Sequence, residues 1–351
     1  MIISKHSLPN SFGKLAFAFI GLVCFSLTGC RSAKVDEAPL FIIMGQSNAD
    51  GSAMFDPAID SVMQRWYESD SNARKMKIWY RSSKVVNQQA NALGEPARWI
   101  VDGDTTDARP GWMDLWYRNE NDRGRTAMNM IHGYGTYSTG PGTDCAQGRR
   151  GIEGEFGRKF AEAYPDKELY VVKLGASGSF ISSWADSLDN TNWNYFLEKM
   201  YRPAIEDLLK RGKRPKLIGV WWMQGCADQE KSREYYQAAL ERLVANCRSQ
   251  LGFPDAKIYV GHIIKPGEST VCPSGSVQYG QGVRDAQDAV AAGDSRVETV
   301  DTKDFPLQYE ANFNGYLHFS HAGQNAIADE LIRRITAAGP DSWSTYVAPT
   351  R

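Results

Sequence analysis

Short apolar segments alternate with amphipathic helical segments along most of this chain, and this alternation restricts its fold more than any other feature. Five runs of apolar and β-branched residues have the length of buried strands: residues 40–44, 169–174, 217–222, 257–262 and 297–300. Helical periodicity appears around Ile152, Phe156 and Phe160, in residues 194–210, 230–246 and 283–291, and in a last segment with Ile327, Leu331 and Ile335. Strands that alternate with helices predict a parallel sheet covered on both faces. We therefore predict an α/β fold, a three-layer α/β/α sandwich with a central, mainly parallel five-stranded sheet.

One region interrupts the alternation. Roughly a hundred residues separate the first strand from the helix that begins near Ile152, whereas ordinary connections are a few residues long. We predict a long aromatic-rich insertion after the first strand, at about residues 52–150, inside a single domain that covers residues 39–340 and precedes a tail, 341–351. The aromatic residues of the insertion are Trp66, Trp79, Trp99, Trp112, Trp116, Tyr117, Tyr134 and Tyr137. They form either a small apolar core under a long loop or, for one or two rings, flat faces at a half-hydrated site.

The N-terminus has the pattern of an export signal. Lys5 and Lys14 precede an apolar run, residues 15–27, that is shorter than the roughly 20 residues of a membrane span. The run ends in Leu-Thr-Gly and then Cys30, which resembles a bacterial lipoprotein signal. We predict a signal peptide, 1–29, acylation of Cys30, a short tether, 30–38, and a periplasmic or cell-surface protein that contacts the membrane only through this anchor. An ordinary secretory signal or short anchor is the alternative.

The charges and the metal-binding residue types exclude other classes of protein. The chain has 40 Lys and Arg against 41 Asp and Glu, which is too balanced for the basic surface of a nucleic-acid-binding protein. No Cys-x-x-Cys or His-x-x-x-His spacing is present, so the sequence predicts no metal site.

Export would place the remaining cysteines in an oxidising compartment, where Cys145, Cys226, Cys247 and Cys272 can form up to two disulfides. Cys247 falls on the apolar face of a helical pattern, which suits a buried free thiol as well as a bridge. Cys145 and Cys272 lie in stretches rich in Gly, Pro and Ser and are the more plausible pair.

Polar, glycine-containing segments follow several predicted strands. The first strand runs directly into Gly45-Gln46-Ser47-Asn48, so Ser47 is presented at the carboxyl end of the strand, where ligands of such sheets bind. Gly45 permits a tight turn, and the backbone N–H groups after it can face a developing oxyanion. Ser47 in this motif is either a nucleophile or a turn residue.

Three further segments lie at later strand ends: residues 173–179 with Gly178, residues 222–228 with Gln224 and Asp228, and residues 317–320 with His318. A serine in the first of four such segments and a histidine in the last match a nucleophile-and-base site. His321, at the start of the last helix, is the reserve candidate for the base.

Together the four segments resemble the SGNH-type carbohydrate esterases of the sialate O-acetylesterase and acetylxylan esterase kind, from Phe41 to about Ile335 except for the insertion. The resemblance implies an SGNH/flavodoxin-like fold and an esterase that needs no cofactor. It implies Ser47 as the nucleophile, His318 as the general base and Gly178 near the oxyanion hole.

The resemblance also gives roles to the amide side chains. Gln224 is implied to orient or stabilise the acyl oxygen, although it can also simply cap its loop. Gln46 and Asn48, which flank the nucleophile, are assigned with it to oxyanion or substrate binding.

The sequence departs from the family pattern at both usual sources of the carboxylate that orients the histidine. Gly315 stands where the D-x-x-H pattern has aspartate, and Cys226 stands where the third segment has glutamate. Asp228 is our candidate for the missing group. The alternatives are Asp301 or Asp304, or a dyad in which Asn314 or a backbone carbonyl holds the ring.

Two functions follow from these residues. The leading hypothesis is a serine esterase that removes O-acetyl groups from a polysaccharide or a sialic-acid type carbohydrate through a Ser-His dyad or triad. The missing carboxylates motivate the alternative, a surface lipoprotein that kept the fold but only binds glycans. In both cases the partner is a carbohydrate and not a nucleic acid.

Overall fold

The central sheet is built around the first apolar run, which forms β1 (Glu37–Gly45) in the computed structural model. The structure describes residues 36–54, 56–81, 83–87, 90, 93–95, 98–102, 110–115, 149–185, 191–264, 280–310 and 315–349. Side chains of β1 alternate between two apolar layers, with Leu40 and Ile42 in one and Phe41 and Ile43 in the other. Because both faces of the strand are covered, nearly every residue in it is apolar.

Thirteen further strands lie in the described part of the chain. They are β2 (Ala53–Met54), β3 (Met76–Tyr80), β4 (Ser83–Asn87), β5 (Arg98–Asp102), β6 (Gly111–Asp114), β7 (Arg149–Arg150), β8 (Leu169–Gly175), β9 (Arg214–Met223), β10 (Ile258–Gly261), β11 (Val297–Val300), β12 (Leu307–Glu310), β13 (Gly315–Phe319) and β14 (Ser344–Thr345).

The α-helices of the same ranges are α1 (Ser47–Asp50), α2 (Pro57–Ser69), α3 (Glu153–Ala163), α4 (Ser182–Ala185), α5 (Thr191–Tyr195), α6 (Arg202–Lys210), α7 (Arg233–Gln250), α8 (Gln281–Gly293) and α9 (His321–Ala338). The predicted helix 194–210 is divided, because a π-helical segment, Phe196–Tyr201, separates α5 from α6. The other predicted helices correspond to α3, α7, α8 and α9.

The five predicted strands are β1, β8, β9, β10 and β11, and they lie side by side and parallel in the order β11-β10-β9-β1-β8. The predicted α/β fold with a mainly parallel sheet flanked by helices is therefore confirmed. The count of five strands is wrong, because the sheet continues through β3 and β6 and also contains β14. Both strands come from the predicted insertion: β3 pairs with the edge of β8, which would otherwise have unpaired backbone groups, and β6 pairs with β3.

The predicted C-terminal tail is partly a component of the sheet. β14 pairs antiparallel with β9, with Ser344 opposite Leu217. The preceding Trp343 is buried and stacks edge-on against Tyr164, 5.3 Å between ring centroids. Burial of this ring fixes the strand that follows it, so the domain extends beyond the predicted boundary at residue 340.

The described aromatic residues of the insertion pack into the domain. Trp79 and Trp99 are buried, and Trp112 contacts Trp79 and Tyr170 edge-on, at 5.3 Å and 4.8 Å between ring centroids. These three indoles therefore fit the apolar-core alternative. Trp116, Tyr117, Tyr134 and Tyr137 lie outside the described residues.

The predictions about export fall largely outside the described residues, among them the signal peptide, the acylation of Cys30 and the pairing of Cys145 with Cys272. Cys247 is a buried free thiol in α7, one of the two states that its helical position allowed. Among the described residues, no helix is both long enough and apolar enough to cross a membrane.

Candidate active site

A strained turn at the end of β1 presents Ser47. Gly45 has φ +141°, and a Cβ atom there would lie 2.1 Å from the carbonyl oxygen of Met223, so only glycine fits. The N–H of Gln46 donates to the same carbonyl oxygen at 2.9 Å, which joins the turn to the end of β9. Ser47 is then the first residue of α1, half-buried at the carboxyl edge of the sheet.

A chain of two hydrogen bonds runs from Ser47 through His318 to Glu310. The hydroxyl of Ser47 donates to Nε2 of His318 at 2.8 Å, and Nδ1–H of His318 donates to Oε2 of Glu310 at 2.5 Å. His318 and Glu310 are 4% and 2% exposed, so water has little access to the bond between them. The sequence predicted the first pair of side chains but not Glu310.

Glu310 reaches His318 because β12 and β13 form an antiparallel pair. His318 lies opposite Gln308, and Glu310 is the next residue of β12 that points to the same face. Gln308 also ties this pair of strands to the loop after α1, since its Oε1 accepts from the N–H of Met54 at 2.8 Å and its Nε2 donates to the carbonyl oxygen of Ser52 at 2.9 Å.

Asn48 binds the backbone on both sides of His318. Its Oδ1 accepts from the N–H of Phe319 at 3.1 Å, and its Nδ2 lies 3.5 Å from the carbonyl oxygen of Leu317. The sequence assigned Asn48 to oxyanion or substrate binding. The structure instead commits its amide to the strand that carries the base, so Asn48 positions His318 relative to its neighbour Ser47.

The loop after β8 supplies a second backbone N–H beside the nucleophile. The N–H of Ala176 donates to the carbonyl oxygen of Gly45 at 2.8 Å, and the turn is closed by the N–H of Ser179 donating to the carbonyl oxygen of Ala176 at 3.1 Å. Gly178 occupies the position of this turn that needs a positive φ, +70°. The N–H groups of Gly178 and Ser47 take no part in the bonds that close their own turns, which leaves them available to an oxyanion.

Gln224 fastens this loop rather than facing a ligand. Its Nε2 donates to the carbonyl oxygen of Ser179 at 3.1 Å and to Oδ2 of Asp228 at 2.5 Å, while its Oε1 accepts from the hydroxyl of Tyr236 at 2.9 Å. An amide nitrogen has only two hydrogens, and both are used here. The predicted contact between Gln224 and an acyl oxygen therefore does not fit this arrangement.

Gln46 fastens the same loop from the opposite side. Its Nε2 donates to the carbonyl oxygen of Ser179 at 2.8 Å, and its Oε1 accepts from the N–H groups of Gly225 and Cys226, both at 3.0 Å. The side chain is 4% exposed. Gln46 thus joins the loops after β8 and β9 to the nucleophile turn, which is a positioning role and not the predicted binding role.

Asp228, the carboxylate predicted to hold the base, faces another part of the site. Its Oδ2 accepts from the N–H of Ile181 at 2.9 Å and from Gln224, and the carboxylate bonded to His318 is Glu310. The prediction is corrected because β12, which lies closer along the chain, brings its own acid to the imidazole. Burial raises the pKa of Asp228 to about 7, although the two hydrogen bonds act in the opposite direction.

This raised pKa predicts a pH-dependent contribution of Asp228 to stability. The carboxyl group binds a proton in the folded state between about pH 4 and pH 7 but not in the unfolded state, so the free energy of unfolding decreases as the pH rises through this window. An asparagine at this position would remain neutral and accept the same hydrogen bonds. We expect Asp228→Asn to flatten the curve of unfolding free energy against pH over this window, measured by urea titration. An equally steep curve for the variant and the wild type would contradict the assignment.

The reserve base, His321, does not take part in this arrangement. His321, the first residue of α9, is buried, and the histidine bonded to Ser47 is His318. Across the described ranges, no group of three or more His, Cys, Asp or Glu side chains could hold a metal ion.

An α/β sandwich that places a serine and a histidine at the carboxyl ends of its strands has the architecture of SGNH-type esterases. The family described as carbohydrate esterase, sialic acid-specific acetylesterase, matches residues 136–337, more than half of the chain, and the protein belongs to this family. It is therefore a carbohydrate esterase of the SGNH type.

Solved structures with this fold include one of a protein from Arabidopsis thaliana, with a TM-score of 0.50 and 18% identity over 86% of this chain and 98% of that one. A carbohydrate acetylesterase from Xanthomonas citri has a TM-score of 0.49 and 12% identity, and the match covers 86% of this chain and 56% of that one. No curated protein matches the chain significantly.

Proposed function

We propose that the protein hydrolyses O-acetyl esters of a carbohydrate with Ser47 as the nucleophile, His318 as the general base and Glu310 as the carboxylate that orients it. The observation that carries this proposal is the hydrogen-bonded chain from the Ser47 hydroxyl through both imidazole nitrogens to Glu310. A serine hydroxyl is a weak nucleophile unless a base removes its proton, and this chain has the geometry for that transfer.

In the first half of the reaction, Oγ of Ser47 attacks the acetyl carbonyl carbon while its proton moves to Nε2 of His318. The N–H groups of Ser47 and Gly178 stabilise the oxygen that becomes negative, and Glu310 stabilises the imidazolium. The tetrahedral intermediate collapses, the sugar oxygen leaves with the proton from Nε2, and Ser47 remains acetylated. In the second half, a water molecule attacks the acetyl carbon while His318 Nε2 takes its proton. The second tetrahedral intermediate breaks its bond to Oγ of Ser47, which recovers the proton from Nε2, and the acetic acid that is released ionises to acetate.

The alternative function, glycan binding without catalysis, was motivated by the absence of the carboxylate at both of its usual places. Glu310 supplies a carboxylate from a third place, so that motivation no longer applies. Burial of a carboxylate costs free energy, and the bond from Glu310 to the imidazole supports a base that is held for catalysis.

A fluorophosphonate probe tests the proposal without knowledge of the sugar. An activated serine displaces fluoride and becomes phosphonylated, so we expect one label per wild-type chain, on Ser47, detected by intact mass and peptide mapping. Ser47→Ala should remain unlabelled, and acetate release from acetylated polysaccharides and sialosides by the wild type then identifies the carbohydrate. A wild-type chain that takes no label, or takes it at another serine, would overturn the proposal.

A further inference from the structure

The loop that carries Gly178 is bound from two sides. On the side of the central sheet, Gln46 and Gln224 both donate to the carbonyl oxygen of Ser179, at 2.8 Å and 3.1 Å. The other side belongs to the insertion, whose strand β5 pairs only with β4 among the described strands. Because no backbone ladder joins β5 to the central sheet, its connection to the loop depends on side chains.

Asn192 is the first of these side chains. It is fully buried, and it binds the backbone of β5 twice: Nδ2 donates to the carbonyl oxygen of Arg98 at 3.1 Å, and Oδ1 accepts from the N–H of Ile100 at 3.0 Å. Nδ2 also donates to Oγ of Ser183 at 2.9 Å, and that hydroxyl donates in turn to the carbonyl oxygen of Phe180 at 2.8 Å. A chain of hydrogen bonds therefore joins β5 to the loop, two residues after its glycine.

Glu95, which precedes β5, is the second side chain. It is buried, its Oε2 accepts from the hydroxyl of Ser182 at 2.8 Å, and its carboxylate pairs with the ammonium group of Lys231. Ser182 is the first residue of α4, directly after the loop, and Lys231 lies between β9 and α7. Loss of a partner is costly for a buried carboxylate, so Glu95 holds the three segments in one arrangement.

The oxyanion site depends on the position of this loop. A donor stabilises the developing charge only when it lies about 2.7–3.1 Å from the oxygen that becomes negative, and an error of about 1 Å can cost on the order of 100-fold in rate. Gln46 and Gln224 fix the loop at Ser179, whereas the bonds to Phe180 and Ser182 come through the insertion side.

We propose that Asn192 and Glu95 are positioning residues, through which the insertion holds the loop of Gly178 in the geometry that stabilises the oxyanion. This inference rests on the proposed esterase function and gives the insertion a task in catalysis. Neither side chain contacts the ester in this role. Their loss should therefore raise the barriers to acetylation and deacetylation without weakening the binding of the substrate.

The first test separates kcat from KM. Asn192→Ala removes three hydrogen bonds and leaves the nucleophile, the base and Glu310 in place. We expect kcat for p-nitrophenyl acetate to decrease by about 10- to 100-fold, while KM changes by less than about threefold. Glu95→Ala should lower kcat in the same way, again with little change in KM.

A trifluoromethyl ketone tests the oxyanion site directly. Oγ of Ser47 forms a bond to the ketone carbon, its proton moves to Nε2 of His318, and the ketone oxygen becomes the anion. This adduct resembles the tetrahedral intermediate, so we expect its inhibition constant in Asn192→Ala to rise by about the factor by which kcat/KM falls. A residue that only stabilised the fold would lower the unfolding midpoint without this parallel change.

Two further variants test the hydrogen-bonded chain itself. Ser183→Ala breaks the chain beyond Asn192 and should reproduce part of the loss in kcat. Combined with Asn192→Ala, it should cost less than about twofold more, because the two residues act in one chain. Tyr201→Phe is the matched control: it removes a buried hydrogen bond to the carbonyl oxygen of Leu251. That residue follows α7, which returns the chain to the opposite edge of the parallel sheet, so kcat should stay unchanged while the urea midpoint of unfolding falls.

Wild-type kcat in Asn192→Ala, with a lowered unfolding midpoint, would overturn the inference. A loss in kcat with no rise in the inhibition constant of the ketone would overturn it too, as would additive losses in the double variant. Should Asn192→Ala not fold, Ser183→Ala must show matching losses in kcat and in ketone affinity, and their absence would have the same consequence. Failure of the esterase function would look different, because the wild type itself would neither hydrolyse p-nitrophenyl acetate nor form the adduct at Ser47.

Discussion

Substitution of Ser47 by alanine should lower kcat for p-nitrophenyl acetate by about 10⁴- to 10⁶-fold. The variant loses the only group that forms the covalent acetyl intermediate, while the N–H groups of the oxyanion site remain and supply the residual rate. Because Ser47 is half-buried and its side chain is small, the change should leave the unfolding midpoint nearly unchanged. The rate is measured as release of p-nitrophenolate, and the midpoint by circular dichroism.

Two further variants sharpen this result. Ser249→Ala makes the same chemical change at an exposed position in α7 and should retain full activity. Ser47→Ala combined with His318→Ala should be no slower than Ser47→Ala alone, because a base without its nucleophile has nothing to activate. Additive losses in the double variant would mean that the two residues act separately, contrary to the bond between Ser47 and His318.

The parallel centre of the sheet was predictable from sequence because both of its faces are buried. β1, β8, β9 and β10 contain apolar runs that an exposed strand would not have, and β11 begins and ends with a buried valine. β3 and β6 were not predicted. Their stability as strands comes from pairing at the edge of the sheet and from contacts such as that of Trp79 with Trp112, which no local sequence pattern records. The outer strands are thus fixed by tertiary contacts rather than by propensity.

Ser47 and His318 were predictable as neighbours because each lies in a short glycine-containing or polar segment at a strand end. Glu310 was not, because the family pattern looks three residues before the histidine and this acid lies eight before it, on the paired strand. A signal was present: two short runs that contain Tyr and Leu, residues 307–310 and 315–319, are separated by only four residues, a spacing typical of a β-hairpin. Recognition of that hairpin would have placed Glu310 across from the histidine strand.

The amide side chains were assigned to the correct site but to the wrong task. Sequence patterns show which residues accompany a nucleophile but not which backbone groups need a partner. In the folded chain, the carbonyl oxygen of Ser179 and the N–H groups of Gly225 and Phe319 bind Gln46, Gln224 and Asn48. Buried backbone groups must be paired, and the requirement becomes visible only when the strand ends are brought together.

Replacement of Glu310 by glutamine should lower kcat for an acetyl ester by about 10³- to 10⁴-fold with little change in KM. Glutamine has nearly the same shape but carries no charge, so the imidazolium that forms during attack loses its stabilising partner. Its NH₂ group can also turn toward Nδ1 and favour the tautomer in which Nε2 carries the proton and cannot accept one from Ser47. The measurement is kcat and KM on p-nitrophenyl acetate for the purified variant beside the wild type.

The variant Asp228→Asn tests which of the two carboxylates, Glu310 or Asp228, orients His318. Because Asp228 holds the Ile181 N–H and Gln224 rather than the imidazole, its neutral variant keeps these bonds and should lose less than about tenfold in kcat. Glu310→Asp, which retains the charge but shortens the side chain by one methylene group, should fall between Glu310→Gln and the wild type. If Asp228→Asn were as slow as predicted for Glu310→Gln, and Glu310→Gln were fully active, the orienting carboxylate would be Asp228 and the bond between His318 and Glu310 would have no part in catalysis.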